Sequence, residues 1–135
     1  MTVDEGQRIL ADNFAPWVLA LGLKVVACES GEARLSMPYS PTLVRVGGTI
    51  CGQALMAAAD TAMVIAISAA LGGFRPMATV SQNTSFMRAI SGVDVEITAR
   101  VLKPGRSLVF GEIEMRAAGD ERLSAHVTTT YALAG

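Results

Sequence analysis

The segment that most constrains the fold is residues 49–74, in which Asp60 is the only charged residue. A helix of that length could cross a bilayer. The segment also contains Gln53 and Ser68, however, so it is not uniformly apolar. The rest of the chain reads as amphipathic strands, which need an apolar partner to cover. We therefore predict a helix over residues 50–71 that is buried on nearly all sides, rather than a transmembrane segment.

The composition of this segment sets the limits of the helix. Alanines favour helix formation, and they recur as Ala54, Ala57, Ala58, Ala59, Ala62 and Ala66. Gly72 and Gly73 follow at the predicted end, where glycine commonly terminates a helix. A helix of about 20 residues is about 30 Å long, so a sheet must curve around it to hide most of its circumference.

Shorter patterns predict the remaining elements. Residues 4–13 form a short amphipathic helix and residues 17–21 a further turn, which gives an N-terminal helical segment over residues 1–21. Residues 39–48 form a loop. Strands are predicted at residues 24–29, 32–38, 77–88, 93–102, 107–116 and 122–133. Four strands in succession after the helix favour an antiparallel meander.

These elements predict an α+β fold in which a curved antiparallel sheet wraps around one long central helix. The chain has 135 residues, a length that favours one domain over residues 1–135. The predicted strand over residues 93–102 shows the expected two-faced pattern. Its apolar face carries Val93, Val95, Ile97, Ala99 and Val101.

Composition narrows the possible functions. The formal net charge is −1 and no basic face stands out, so we expect no nucleic-acid partner. Asp4 and Glu5 lie early, where a signal peptide would be basic and then apolar, so a cytoplasmic location is expected. Cys28 and Cys51 lack the spacing of a metal site or a disulfide framework. No cofactor motif is present, so neither a metal nor a cofactor is predicted.

The opening of the long helix carries a family resemblance. Residues 51–62 read Cys-Gly-Gln-Ala-Leu-Met-Ala-Ala-Ala-Asp-Thr-Ala. This stretch resembles the signature of the PaaI-type (phenylacetate degradation-related) hotdog-fold acyl-CoA thioesterases. In that family an acidic residue, here Asp60, follows a His-Gly-Gly motif nine positions after the His. Later stretches resemble the family's strands in the same order, namely residues 83–89, 101–106 and 125–131.

The chain departs from this pattern at four positions. Cys51 stands where the family has His, Gln53 replaces the second glycine of the motif, and Ala89 replaces the proline expected after Arg88. Arg45 occupies the position of an Asn or Gln that often precedes the His by six residues. The resemblance implies the hotdog fold and hydrolysis of an acyl-CoA thioester with a short-chain or aryl acyl group. It also implies a homodimer with sites at the subunit interface, often assembled into a homotetramer.

Thioester hydrolysis needs a donor for the oxyanion and a base or nucleophile. Gly52 lies at the helix N-terminus, where backbone N–H groups are free and a partial positive charge develops. Asp60 lies in apolar surroundings, which strengthen its base character. The sequence leaves open whether Asp60 acts as base or nucleophile, or is a structural acid bonded to a neighbouring loop.

The spacing of these two residues adds a requirement. Gly52 and Asp60 are eight positions apart on one helix, which is about 12 Å. Both cannot contact one thioester carbonyl from the same chain. If both act in one site, Asp60 comes from a neighbouring subunit, so the hypothesis requires at least a homodimer.

Further residues are substrate-binding candidates with ordinary structural alternatives. Arginine suits phosphate binding, so Arg45, Arg88 and Arg106 are candidates for coenzyme A, or are solvated surface charges. Cys51 and Gln53 flank Gly52 and are candidates to contact the substrate. The structural alternatives are that Cys51 is a small buried apolar side chain and that Gln53 caps the helix. Val64 and Phe86 line an acyl pocket or belong to the core. His126, the only histidine, is expected on the outer face of the sheet.

A second function of a different class stays open, namely a non-catalytic module that binds or senses acyl-CoA. The replacement of the family's His by Cys51 favours it. Hotdog dehydratases and hydratases use a catalytic His with an acid, and no histidine lies near the predicted helix. Whether Asp60 is needed for turnover or only for folding separates the enzyme from the binding module.

Overall fold

The computed structural model describes residues 1–134, which form three α-helices, one short 3-10 helix (Pro41–Leu43) and one six-stranded sheet. The helices are α1 (Val3–Asn13), α2 (Pro16–Leu19) and α3 (Gly52–Leu71). The strands are β1 (Lys24–Glu29), β2 (Glu32–Met37), β3 (Met77–Phe86), β4 (Val95–Pro104), β5 (Leu108–Ala117) and β6 (Ala125–Leu133). Every strand pair is antiparallel, and α3 lies against the sheet as its central helix. The predicted α+β hotdog fold is confirmed.

The long helix α3 is the core of this fold. Most of its residues are buried, and 72% of its most apolar stretch lies inside the fold. The hydroxyls of Thr61 and Ser68 donate to the carbonyls of Ala57 and Val64, each at 2.8 Å. These bonds satisfy the two buried hydroxyl groups of the helix. The length and composition of α3 would suit a membrane span, but the burial identifies it as the predicted core helix.

The sheet order corrects one expectation. The strands run β1-β2-β4-β5-β6-β3, so the meander contains β4, β5 and β6 but not β3. Instead β3 pairs with β6 at the sheet edge, and β4 pairs with β2. Residues 87–94 join β3 to β4, which is far longer than a tight hairpin turn. Strand β2 also presents an apolar face that continues the apolar face of β4, since Leu35 pairs with Ile97 across the two strands.

Local chemistry explains where several elements begin and end. Ser30 and Gly31 both have positive φ, which is the geometry of the predicted two-residue turn between β1 and β2. Strand β6 begins at Ala125 rather than at residue 122, because Asp120 holds Arg122 in a turn through its backbone and its guanidinium. Strand β4 likewise begins at Val95, two residues later than predicted.

The N-terminal segment covers one side of α3. Thr2 and Glu5 form a reciprocal capping box at the start of α1. The Gln7 side chain then fixes α1 to the start of β1, donating to the Leu23 carbonyl at 3.1 Å and accepting from the Val25 N–H at 3.0 Å. Helix α2 follows as a single short turn with no buried residue.

Two surfaces on the other side of α3 stay open. One face of the helix, with i, i+3, i+4 and i+7 spacing, is partly exposed and carries Gln53, Met56, Ala57 and Asp60. Beside it lies β3, an edge strand whose residues are almost all exposed or half-buried. The open helix face and the open strand edge together set the position of the candidate site.

Candidate active site

The N-terminus of α3 is an open donor site. Cys51 is the N-cap residue, but no side chain within residues 1–134 caps the first turn. The Cys51 backbone N–H instead donates to the Leu43 carbonyl at 2.8 Å. Gly52 opens the helix and is only half-buried. The positive end of the helix therefore has free N–H groups beside a residue with no side chain, as an oxyanion site requires.

A cavity of about 400 Å³ opens directly beside this helix end. Four of the predicted site residues line it, namely Arg45, Gly52, Phe86 and Arg88. The Phe86 ring forms the wall next to the helix, because a Cβ atom added to Gly52 would lie 3.2 Å from its Cζ. Two arginines and a helix N-terminus at one cavity favour an anionic ligand, although the Arg45 guanidinium also donates to the Val46 carbonyl at 3.1 Å.

Two short loops hold the arginines at this cavity. Arg45 opens a tight turn in which its N–H donates to the Thr49 carbonyl at 2.9 Å and its carbonyl accepts from the Gly48 N–H at 3.0 Å. Gly47 and Gly48 both have positive φ, which this turn needs. Arg88 follows the end of β3, and its N–H donates to the Ser124 carbonyl at 3.1 Å.

Thr49 adds a polar atom that the sequence did not single out. It lines the same cavity, and its hydroxyl oxygen is buried without a hydrogen-bond partner among residues 1–134. Buried hydroxyls normally find a partner. The Thr49 hydroxyl is therefore an unsatisfied buried polar group in the wall of this cavity.

Asp60 is held by two hydroxyl groups. The Thr79 hydroxyl donates to the Asp60 carboxylate at 2.8 Å. The Tyr131 hydroxyl contacts the same carboxylate oxygen and lies 2.7 Å from the Asp60 carbonyl oxygen. Burial and the neighbouring Asp60 carboxylate raise the pKa of the Tyr131 hydroxyl well above its usual value, so the hydroxyl stays protonated and donates. The second carboxylate oxygen is left for a further partner.

The sequence interpretation missed both hydroxyl partners. Residues at alternate positions of β6 face the core, and Tyr131 is one of them, with only 2% of its surface exposed. A buried tyrosine hydroxyl needs an acceptor. Asp60 is the one charged residue of the helix that the sheet covers. The contact between Tyr131 and Asp60 could therefore have been predicted from the alternation in β6 together with the apolar character of α3.

The remaining predicted residues lie outside the cavity of the single chain. Cys51 is half-buried against the core, and Gln53 is exposed on the open face of α3. Val64 is buried on the same helix face as Asp60. Arg106 lies in the turn between β4 and β5, beside the end of β6. The cavity lies near the beginning of β6, so Arg106 is remote from it within one chain. Asp60 itself is absent from the cavity lining.

His126 lies where the alternation predicted. It is on the outer face of β6, opposite the core, and its Nε2 lies 3.1 Å from a carboxylate oxygen of Glu112. Tyr131 lies on the inner face of the sheet, where it contacts Asp60 of α3. His126 lies on the opposite face, so it is not part of the candidate site.

Comparisons with known proteins agree with this arrangement. The family model described as "Thioesterase superfamily" matches residues 47–124. A Thermoplasma volcanium protein described as a "Putative esterase" is 32% identical over 113 residues, covering 78% of this chain and 77% of that protein. The structure of zebrafish thioesterase superfamily member 2 is 27% identical, covers 99% of both chains and has a TM-score of 0.88.

A further solved structure matches the predicted resemblance. A point mutant of the phenylacetic acid degradation protein PaaI from Thermus thermophilus is 29% identical to this chain. The alignment covers 87% of this chain and 98% of that one, with a TM-score of 0.76. The predicted similarity to PaaI-type proteins is therefore confirmed.

Proposed function

Because this chain belongs to the thioesterase superfamily, we propose that it hydrolyses acyl-CoA thioesters with a short-chain or aryl acyl group. The observation that carries the proposal is the uncapped N-terminus of α3, which opens at Gly52 into a cavity lined by Arg45 and Arg88. It offers donors for an oxyanion and cations for phosphates at one place. Asp60, two turns further along α3, supplies the carboxylate.

The site is proposed to be shared between two subunits. Gly52 and Asp60 are separated by about 12 Å along the helix. Within one chain the Asp60 side chain turns toward Thr79 and Tyr131, whereas Gly52 faces Phe86. One thioester carbonyl cannot reach both groups, so a second copy of the chain completes the site.

The open edge of β3 supplies the contact for that second copy. The strand is ten residues long and contains no charged residue and no proline. Its outward-facing Val80 is 60% exposed. A long edge strand with neither charge nor proline keeps backbone groups available to pair with another strand. Pairing with a partner's β3 around a two-fold axis would give one self-complementary interface.

A two-fold axis at the middle of this edge would bring the right residues together. Gln82 donates to the Met56 carbonyl at 3.0 Å, so the middle of β3 lies against α3 at Met56. Met56 is midway between Gly52 and Asp60 in the sequence. A two-fold axis at this level exchanges the positions of Gly52 and Asp60 between the two subunits, so that the partner's Asp60 would lie opposite Gly52.

The proposed reaction needs only these groups. As a base, Asp60 takes a proton from water while the oxygen of that water bonds to the thioester carbonyl carbon. The carbonyl oxygen becomes an oxyanion that accepts from the Gly52 N–H of the other subunit. The C–S bond then breaks, and the departing thiolate takes the proton from Asp60, which gives the free acid and coenzyme A.

The alternative route makes Asp60 a nucleophile. Its carboxylate would displace coenzyme A and form a mixed anhydride, which water would then hydrolyse. Thr79 and Tyr131 hold one carboxylate oxygen in either route and leave the second oxygen for water or for the carbonyl carbon.

The predicted cations would bind the phosphates of coenzyme A. Arg45 and Arg88 line the cavity of one subunit. Arg106 lies near the start of β3, because the adjacent Ser107 accepts from Leu133, which pairs with Met77. The same two-fold axis would bring the partner's Arg106 toward the other end of β3, where the cavity lies. A homotetramer and a cytoplasmic location are further predictions of the family resemblance.

A thiol-release assay over a panel of acyl-CoAs tests this function. We expect turnover of at least one short-chain or aryl acyl-CoA, and a loss of roughly a hundredfold or more in Asp60→Asn, since a positioned base is removed. Asp12→Asn is the matched control, because Asp12 is exposed on α1. It should leave the rate unchanged.

One outcome would favour the binding module. The two hydroxyls already bound to Asp60 within its own chain also suit a structural acid. If the wild-type protein binds acyl-CoA in calorimetry but releases no thiol above background, the hydrolase proposal is wrong. Asp60→Asn would then lower the folding stability rather than a rate.

A further inference from the structure

A second cavity, of about 410 Å³, lies on the side of α3 that faces the N-terminal segment. Its walls come from α1, α2 and α3 together with the start of β1. Most of its lining side chains are apolar, namely Leu10, Ala11, Phe14, Val18, Leu19 and Leu23. Its size falls in the range of small-molecule pockets, about 300–1,000 Å³.

The polar groups of this cavity are already satisfied. Gln7 uses both ends of its amide to bond the Leu23 carbonyl and the Val25 N–H. The Thr61 hydroxyl donates to the Ala57 carbonyl within α3. Lys24 is exposed. The interior of the cavity therefore offers apolar contact and no unpaired polar group among residues 1–134.

The cavity lies next to Asp60. Thr61, which lines it, directly follows Asp60 in α3, so their Cα atoms are about 3.8 Å apart. Their side chains diverge by about 100° around the helix. The half-exposed Ala57 lies between them on the helix surface. A chain attached to a carbonyl at Asp60 can thus enter the cavity across one turn of helix.

The cavity adjoins a short helix with exposed apolar side chains. Leu19 of α2, which lines the cavity, is 42% exposed, and Trp17 on the same helix is 63% exposed. Exposed apolar groups clustered beside a cavity mark a binding surface more often than single ones do.

We infer that the cavity between α1, α2 and α3 holds the acyl group of the substrate, an uncharged apolar chain or ring large enough to fill it. The inference rests on the proposed function, because it takes Asp60 to serve the thioester carbonyl. Coenzyme A lies over the cavity of the partner's Gly52, and the acyl group passes Asp60 into the cavity of Asp60's own chain. The apolar lining sets the direction of selectivity. Each further methylene buried there raises kcat/KM about fourfold, whereas a charged acyl group loses hydration on entering the apolar interior.

Filling the cavity from its exposed wall tests the inference. Ala11 is exposed on α1 and lines the cavity, so Ala11→Phe occupies the space without disturbing the core. Ala20→Phe is the matched control, because Ala20 is exposed in the same segment but does not line the cavity. Thiol release is measured for each variant with acetyl-CoA, butyryl-CoA, benzoyl-CoA and succinyl-CoA, alongside circular dichroism.

The expected result is a change in substrate profile. Wild type and Ala20→Phe should favour butyryl-CoA or benzoyl-CoA over acetyl-CoA and succinyl-CoA. In Ala11→Phe the ratio of kcat/KM for the larger apolar substrates to that for acetyl-CoA should fall at least about tenfold, with acetyl-CoA unaffected.

Three other results would overturn the inference. An active Ala11→Phe enzyme with an unchanged profile places the acyl group elsewhere and leaves the proposed function standing. An unchanged profile with a weakened dimer in sedimentation assigns the cavity to the partner subunit. A wild-type protein that is inactive on every acyl-CoA removes the proposed function, and the inference fails with it.

Discussion

The hydroxyl of Tyr131 is predicted to hold Asp60 in its working position, and Tyr131→Phe tests this. The substitution removes one oxygen atom and keeps the ring, which is 2% exposed, so it leaves no large cavity. It deletes the contacts with the Asp60 carboxylate and the Asp60 carbonyl oxygen. The Asp60 carboxylate then keeps only its bond from Thr79.

The size of the effect follows from the kind of bond. A hydrogen bond to a charged group contributes about 1.5–3 kcal/mol, so the free energy of unfolding should fall by about that amount. A carboxylate with one donor instead of two also rotates more freely. Since a misplacement of about 1 Å can cost a hundredfold in rate, we expect kcat to fall by roughly ten- to a hundredfold. KM should change little, because Tyr131 is outside the Gly52 cavity.

Urea denaturation at fixed protein concentration measures the first effect, and steady-state thiol release measures the second. Tyr39→Phe is the matched control, because Tyr39 is 40% exposed and its hydroxyl makes no hydrogen bond within residues 1–134. It should change neither quantity. If Tyr131→Phe unfolds within about 0.5 kcal/mol of wild type and keeps its kcat, Tyr131 does not position Asp60.

Three further predictions concern stability and substrate binding. The raised pKa of Tyr131 means that above about pH 10 the unfolded chain loses a proton that the folded chain keeps, so the free energy of unfolding falls with rising pH by about 1.4 kcal/mol per pH unit. Gly111→Ala should cost about 1–3 kcal/mol in urea denaturation, because the added Cβ would lie 2.9 Å from the backbone oxygen of Arg100. The double change Arg45→Gln and Arg88→Gln should raise KM for acyl-CoA, flatten its salt dependence and leave kcat nearly unchanged.

Each of these predictions has a matched comparison. Above pH 10 the free energy of unfolding of Tyr131→Phe should fall less steeply with pH than that of wild type. Equal slopes would contradict the assignment of this pH dependence to Tyr131. Gly73→Ala, which has open space around its added Cβ, should be tolerated where Gly111→Ala is not. Arg8→Gln on the exposed face of α1 should leave KM unaltered. An equal rise in KM would mean that net charge, rather than the cavity, binds the substrate.

Much of the fold was predictable because its strongest signals are local. The apolar segment around Asp60 predicted α3, since a helix that is apolar on nearly all sides must be buried. Alternation predicted the inward face of β4, and Ser30 with Gly31 predicted the first hairpin. The position of β3 was not predictable in this way. Strand β3 pairs with β6 because β2 occupies the place beside β4. Contacts between residues far apart in the sequence decide this order.

The candidate site likewise has one part that local sequence motifs predicted and one part that they did not. Gly52, Arg45, Phe86 and Arg88 were predicted from a motif, and the structure brings them to one cavity. The contacts of Asp60 were not predicted, because Tyr131 is 71 positions away in the sequence and only the curvature of the sheet brings it over the helix.

The most direct test of the shared site is complementation between two inactive subunits. Asp60→Asn removes the carboxylate, and Gly52→Val places a branched side chain against Phe86 over the helix N-terminus. Each variant alone should be inactive. If one site takes Gly52 from one chain and Asp60 from the other, a dimer of the two variants has one intact site of its two.

The measurement is thiol release after the two variants are unfolded together in urea at equal concentration and refolded. Random pairing makes half of the dimers mixed, so the account predicts recovery of about a quarter of the wild-type activity. Each variant refolded alone provides the background. If the mixture shows no more activity than that background while sedimentation detects mixed dimers, then Gly52 and Asp60 do not form one site across the interface, and the central claim is contradicted.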